Sequence, residues 1–285
     1  MPMSPVCQKL RDAVDAYSQF LHEDGPRSHL GASQIGDPCR QKLWLGFRNC
    51  DYKVHTGRMQ RLFNRGHKEE PRVRDYLEGA GIKFQTLLEF YNWKTEQHQF
   101  SSGMGHFGGS CDGIVTMPTG VGVKGNLVWE CKTYGKATEF KGLFETGVQS
   151  VKPIHYAQMV LYCHKFNCNH ALYTAVLKSN DEIYYEILPA NPEFAMQLED
   201  KSLEIITSQQ SLPKLGASAA YYKCKFCDFS GVCHGGKEVL RSCRSCQNAR
   251  AVDNGQWECS LYGIIPKEHC MKPTQCGQWV SILQR

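Results

Sequence analysis

The chain has 285 residues, 41% of them hydrophobic and 21% charged, which suits one core of roughly 200 residues with a small appendage. No apolar run approaches the ~20 residues of a membrane span, so a membrane protein is excluded as an expectation. The net charge of +5 permits an anionic partner without requiring one.

The opening stretch MPMSPVCQKLRDAVDAYSQF mixes charges into a helical pattern and lacks both an apolar h-region and a small-residue cleavage site. A cytoplasmic rather than secreted protein is expected. Apolar spacing predicts a helix over 5–21, stopped by the Gly and Pro between Asp24 and Arg27. In GASQIGDPCRQKLWLGF, Ser33 can cap, and a second helix begins at Cys39 and runs through Leu43 and Trp44. A third spans Met59 to Leu77, interrupted at Pro71 and ending by Gly79 to Gly81, with His67 and Glu70 on one face.

The middle of the chain reads as β structure. GGSCDGIVTM around Asp112 and NLVWECKT around Glu130, joined by the turn-rich PTGVGVKG, predict a hairpin. A helix over about Pro153–Phe166 follows, then strands in HALYTAVLK and EIYYEILP, then a helix from Pro192 to about Ser208. The natural boundary lies near Gly235 to Leu240, giving one unit over 1–238 and a cysteine-rich module over 239–285.

Residues two apart on a strand share a face, so Glu130 and Lys132 project together while Cys131 faces away. Asp112, on the neighbouring strand, can bring a second carboxylate to that side. Two carboxylates with a few waters suit Mg²⁺ or Mn²⁺. Such an ion can polarise a phosphate and activate water, and Lys132 can orient that water or balance developing charge. On spacing alone, an exposed strand pair and a turn aspartate would look the same.

The surrounding segments add to the hairpin. GSCD ending at Asp112, ECK over Glu130–Lys132, QMVLY over Gln158–Tyr162 and the upstream FNRGHKEEPRVRDYL follow in the order and spacing of the RecB-like branch of the PD-(D/E)XK nucleases, which the chain resembles. The resemblance implies an α/β (α+β) core with a mixed central sheet flanked by helices. It implies that Asp112 and Glu130 bind the catalytic metal, with His67 a further ligand, and that Lys132 assists the nucleophilic water. Gln158 and Tyr162 would belong to the active-site helix and touch DNA. Glu70 would take the acidic helix position of lambda-exonuclease-like relatives, so either it or His67 has a structural role.

The fifteen cysteines, eight of them between Cys224 and Cys276, point to thiols and metal ligands rather than disulfides in a chain with no export signal. Cys224, Cys227 and Cys233 form C-x2-C-x5-C, a bite for zinc or an iron–sulfur cluster, and His234 would complete a zinc site. The resemblance implies a different fourth ligand. Iron–sulfur members of this branch, CRISPR-adaptation nucleases among them, take one cysteine from far upstream, which here is Cys39, and a [4Fe-4S] cluster would staple the two ends of the core. Cys243, Cys246 and Cys259, closed by Cys276 or Cys270, suggest a zinc ribbon, with Cys276 preferred. That module resembles C-terminal extensions of phage proteins, which makes a phage origin plausible. Either Lys237, Arg241, Arg244 and Arg250 offer phosphate contacts or the module only stabilises the C-terminus.

The expected activity is a Mg²⁺- or Mn²⁺-dependent DNA nuclease, by preference an exonuclease, serving replication, recombination or DNA degradation with partner proteins of those processes. An oligomer is possible. The rival expectation is a non-catalytic nucleic-acid-binding metalloprotein, which would bind DNA and cleave none.

Overall fold

The computed structural model describes residues 4–21, 25–85, 97–270 and 272–284. Helix α1 (Pro5–Leu21) buries little beyond Ser18 and leans on a later helix through Arg61, whose guanidinium meets Asp15 at 2.5 Å and Ser18 at 3.1 Å. Its expected stop falls partly on Asp24, outside the described residues. Strand β1 (Leu30–Gly31) leads to α2 (Arg40–Phe47), which is capped not by Ser33 but by the Cys39 thiol, accepting the Lys42 N–H at 3.4 Å. Ser33 instead accepts from Arg27 at 3.3 Å.

Helix α3 (Gly57–Gly79) runs unbroken through Pro71, contrary to the expected interruption. Pro71 cannot donate to the His67 carbonyl, and that single lost bond is offset by Val73 and Leu77, which bury their side chains on the sheet beneath. Gly57 is required where α1 crosses: a Cβ there would stand 2.0 Å from the Asp15 carbonyl oxygen.

Strands β2 (Lys83–Phe84), β3 (Gln99–Ser102), β4 (Phe107–Ser110), β5 (Gly113–Thr116) and β6 (Asn126–Tyr134) follow. The expected single strand around Asp112 is two strands, β4 and β5, in different sheets: β4 lies between β1 and β3, while β5 pairs with β2 and β6. The hairpin itself is as expected, with Gly113 opposite Trp129 and Thr116 opposite Asn126. Asp112 thus occupies the step from one sheet to the next.

An unanticipated helix, α4 (Ala137–Val151), precedes α5 (Pro153–Lys165). Together they form the crossover from β6 to the parallel strand β7 (His170–Leu177), which pairs antiparallel with β8 (Ile183–Pro189). Helix α6 (Pro192–Thr207), capped by Asn191 at 3.0 Å, packs on α5 and α2. The five-stranded sheet β2-β5-β6-β7-β8 is therefore mixed and flanked by helices, the expected α/β class. Leu127, Trp129, Leu172 and Val176 pack towards α3 on one face; Val128, Tyr134, Ala171 and Tyr173 join the larger core with α4, α5 and α6 on the other.

Short helices α7 (Tyr222–Lys225) and α8 (Ser230–His234) precede a small antiparallel sheet of β9 (Ala249–Val252), β10 (Gln256–Cys259) and β11 (Gly263–Ile265), then α9 (Lys267–Cys270). This last segment shares the larger core, because Trp257, Ala249, Ile265 and Ile282 bury against it. Arg48 donates to the Cys246 and Ala249 carbonyls at 2.8 and 2.9 Å. Arg244 reaches back to the carbonyls of Phe47 and Arg27, and His106 meets those of Val252 and Gln256 at 2.9 Å each. Among the described residues no helix is long and apolar enough to cross a membrane.

Candidate active site

The sheet-to-sheet step at Asp112 is fixed by its own carboxylate, which accepts the Cys131 N–H at 2.7 Å and ties the β4–β5 link to the middle of β6. One residue on either side of Cys131, Glu130 and Lys132 project together onto the α5 face, and the Lys132 ammonium donates to Glu130 Oε1. The same oxygen accepts from Gln158 Nε2 on α5 at 2.9 Å, and that amide also donates to the Tyr162 hydroxyl at 3.2 Å. Glu130 Oε2 is buried with no hydrogen-bond partner among the described residues.

Gln158 and Tyr162 are only 4% and 2% exposed. In this position Gln158 holds Glu130 and Tyr162 holds Gln158. The packing is tight, since a Cβ on Gly109 would stand 2.8 Å from the Tyr162 hydroxyl.

Helix α3 brings His67 and Glu70 to the same cleft, of about 1300 Å³, that Asp112, Lys132 and His155 line. His67 and Asp112 line that cleft together. Glu70 accepts from Gln97 at 3.2 Å, whose amide oxygen in turn takes the Ser110 hydroxyl at 2.9 Å. Gln97 and His155 escaped the sequence reading. Neither belongs to a spaced motif, and His155 is recognisable only as one turn before Gln158 on α5.

Burial and then the Asp112 charge push the Glu130 carboxyl up to about 8. The same two causes take Glu70 to about 7 against the opposing bond from Gln97. Asp112 is raised by burial, against Lys132 and the Cys131 N–H. Burial alone would lower Lys132, but Glu130 and Asp112 outweigh it and hold the amine firmly protonated. His155 is pushed down to about 3 by burial and by Lys132 and Lys152, so it is neutral, with Nδ1 2.9 Å from the Tyr173 hydroxyl. Three carboxyl groups thus converge on one ammonium and resist ionising together, a resistance that a divalent cation would relieve.

Among the described residues, no three His, Cys, Asp or Glu side chains are drawn tightly enough together to form a ready metal cage. The acidic pocket nevertheless fits a hard cation that retains waters and takes one or two carboxylates: Glu130 Oε2 is an orphaned acceptor, and Asp112 lines the open cleft.

All the described cysteines are free thiols. Burial raises the Cys227 and Cys233 thiols, and Cys39 adds to the rise at both, although it stands 185 positions before Cys224 in the chain. Among the described residues, these thiols are not drawn into a group that could hold a metal ion. Cys243 neighbours Cys246, Cys259 and Cys276, and also Cys270, whose thiol burial pushes up to about 11. Of the four expected phosphate-binding residues in this region, Arg244 is wholly buried and spent on carbonyls, so it is unavailable to a phosphate. Lys237 is paired with Asp51 at 2.7 Å and Arg250 with Glu258 at 2.6 Å.

No protein-family model and no curated protein matches the chain. Among solved structures, SSO0001 superposes with a TM-score of 0.46 at 14% identity, covering 79% of this chain and 96% of that one. An alkaline exonuclease (LHK-Exo) from Laribacter hongkongensis gives 0.41 at 13% identity, over 68% of this chain and 90% of its own. LHK-Exo in complex with dAMP gives 0.40 at 14%, over 62% and 86%. Scores and identities this low transfer no residue roles.

Proposed function

We propose that this chain is a divalent-metal-dependent deoxyribonuclease whose site is built on Asp112, Glu130 and Lys132, with Glu70 and His67 on the facing helix. The observation that carries the reading is the buried, unpartnered Glu130 Oε2 in a pocket where three carboxyl groups share one ammonium. A cleft-lining aspartate, a buried glutamate and a lysine are groups that metal-assisted phosphodiester hydrolysis can use.

Asp112 and Glu130 would hold Mg²⁺ or Mn²⁺, with His67 or Glu70 as a further ligand. A bound ion there would polarise the scissile phosphate and lower the pKa of the attacking water. Lys132, kept protonated by its carboxylate neighbours, is the donor positioned to balance charge growing on the phosphate. Gln158 fixes the rotamer of Glu130, and the neutral His155 closes the wall beside Lys132 without adding a competing positive charge. The cleft would take DNA as substrate. The first cysteine set, Cys39 with Cys224, Cys227 and Cys233, is read as the [4Fe-4S] site, and Cys243, Cys246, Cys259 and Cys276 as a structural zinc site; both readings rest on spacing and on the resemblance.

The test is hydrolysis of end-labelled single- and double-stranded DNA across a metal series. Cleavage with Mg²⁺ or Mn²⁺, stopped by EDTA and abolished in Asp112→Ala, Glu130→Ala and Lys132→Ala, is the expected result. Release of mononucleotides from an end would make the enzyme an exonuclease, as its resemblance suggests. Tight DNA binding with no cleavage under any metal would replace this reading with a non-catalytic binding protein.

A further inference from the structure

The first cysteine cluster has an outer surface that the site chemistry does not use. Between Glu204 and Asp228 the chain carries no acidic residue, and its charges are Lys214, Lys223 and Lys225. Within this stretch YYKCKFC folds into α7, which turns Cys224 inward and leaves the aromatic side chains outside. Phe226 is 83% exposed and Tyr222 63% exposed. These two are four residues apart, so they stand on one side of the turn. Tyr221 leans on Tyr222 with ring centroids 4.7 Å apart. The Lys223 and Lys225 ammonium groups hover 5.8 Å from the Tyr222 and Phe226 rings.

Exposure of two large rings on so short a segment is costly in water unless something covers them. The charge pattern says what fits. A protein partner would meet a purely apolar face more readily than one interleaved with lysines and devoid of acids. A single nucleic-acid strand presents the complementary chemistry: flat bases for the rings and a phosphate for each lysine. The location agrees, because Asp228 and Phe229, two and three residues beyond Phe226, line the same cleft as Asp112 and Lys132. Salt bridges from Lys53 to Asp228 at 2.6 Å and from Lys237 to Asp51 at 2.7 Å brace this loop against the cleft wall.

We propose that Tyr222, Lys223, Lys225 and Phe226 form a platform beside the cleft mouth that grips a single DNA strand, bases stacked on Tyr222 and Phe226 and phosphates met by the two lysines. The inference rests on the nuclease reading for the identity of the strand as DNA. It adds a binding site outside the catalytic pocket, on the turn whose inner side carries the buried Cys224.

The test uses the full chain and fluorescence anisotropy with labelled oligo(dT) and a blunt hairpin duplex, with Ca²⁺ replacing Mg²⁺. The Tyr222→Ala/Phe226→Ala variant should bind oligo(dT) at least about tenfold more weakly, in line with the usual loss per stacked base, and the duplex nearly as well as the parent does. Tyr222→Phe/Phe226→Tyr should bind oligo(dT) like the parent, which separates lost stacking from lost folding. Lys223→Gln/Lys225→Gln should reduce the slope of log affinity against log salt by roughly 1.4, two single-strand phosphates' worth. Undiminished oligo(dT) binding by the double alanine variant overturns the platform, as does equal loss on the duplex. So does a dimer, seen in sedimentation, that dissociates in this variant while DNA binding is unchanged. If the parent binds oligo(dT) through these rings yet cleaves no DNA with Mg²⁺ or Mn²⁺, the platform stands and the nuclease reading falls. If the parent cleaves and the double alanine variant binds normally, only the platform falls.

Discussion

Two clusters of buried charge sit in this molecule, and they are neutralised in opposite ways. At the junction with the C-terminal segment, Arg48 and Arg244 are fully buried, their donors directed at carbonyls of Cys246, Ala249, Phe47 and Arg27 and their planar groups about 5 Å from the rings of Trp257 and Phe47. Burial lowers both guanidinium pKa values to about 10, which leaves them charged at neutral pH. Backbone dipoles and π faces thus balance the positive cluster from within. In the acidic pocket, Glu70, Asp112 and Glu130 answer to Lys132, and an oxygen of Glu130 is left unpartnered. The first arrangement serves the fold, although Arg48 Nε and Nη1 stay buried without a hydrogen-bond partner among the described residues. The second gathers three carboxyl groups beside an open cleft, and it is there that a cation is proposed to bind.

The comparison breaks most sharply under mutation. Replacing Glu130 with Gln should reduce metal-dependent DNA cleavage on the order of a thousandfold in single-turnover assays while the circular dichroism spectrum stays the same. Retained cleavage would move the site elsewhere. Replacing Arg244 with Ala should act the other way. It leaves the Phe47 and Arg27 carbonyls without their donor and opens a void beside Trp257, so unfolding in urea should show about 3 kcal/mol of lost stability. A neutral outcome there would mean that the C-terminal segment is not held through this arginine.

A smaller effect follows from protons. Burial and mutual repulsion hold Glu130 at about 8 and Glu70 at about 7, above the 4.5 of an unperturbed glutamate. The folded chain therefore keeps protons that the unfolded chain releases. Stability of the metal-free protein is fullest below about pH 4.5 as far as these groups are concerned, and their contribution is lost as pH rises through 7 and 8. Thermal melts in EDTA should fall across that window, and Glu130→Gln should flatten the slope. The smallest expected effect is at Gln97: its replacement by Ala removes the bond that lowers Glu70, so the acidic limb of the pH–rate profile should move upward with little change in its plateau.

Much of this contrast could be read from the chain before folding. The ECK spacing puts Glu130 and Lys132 on one face of any strand, and the hairpin register brings Asp112 near them. What escaped was non-local. Strand β1 pairs with β4 over two residues and 77 positions of sequence, so nothing local announces it, and with it went the break at Cys111–Asp112 that turns Asp112 into the site. Helix α4 was missed because it starts at Lys136 without a side-chain cap and contains Gly147 at φ 74°, features that locally argue against a helix. Pro71 misled in the other direction: its missing N–H signals a break, and tertiary packing of Val73 and Leu77 overrode it. Arg244, open in the sequence to either a phosphate contact or a role in stabilising the C-terminus, is consumed by the fold.

The central claim, that the acidic pocket lacks only a cation, is tested most directly by titrating Mn²⁺ into the metal-free protein near pH 7 in calorimetry, in buffers of different ionisation enthalpy. Binding should release protons, because carboxyl groups held partly protonated must ionise to serve as ligands, and Glu130→Gln should weaken it on the order of a hundredfold. Mn²⁺ binding that releases no proton, or that is equally tight in Glu130→Gln, would contradict the account.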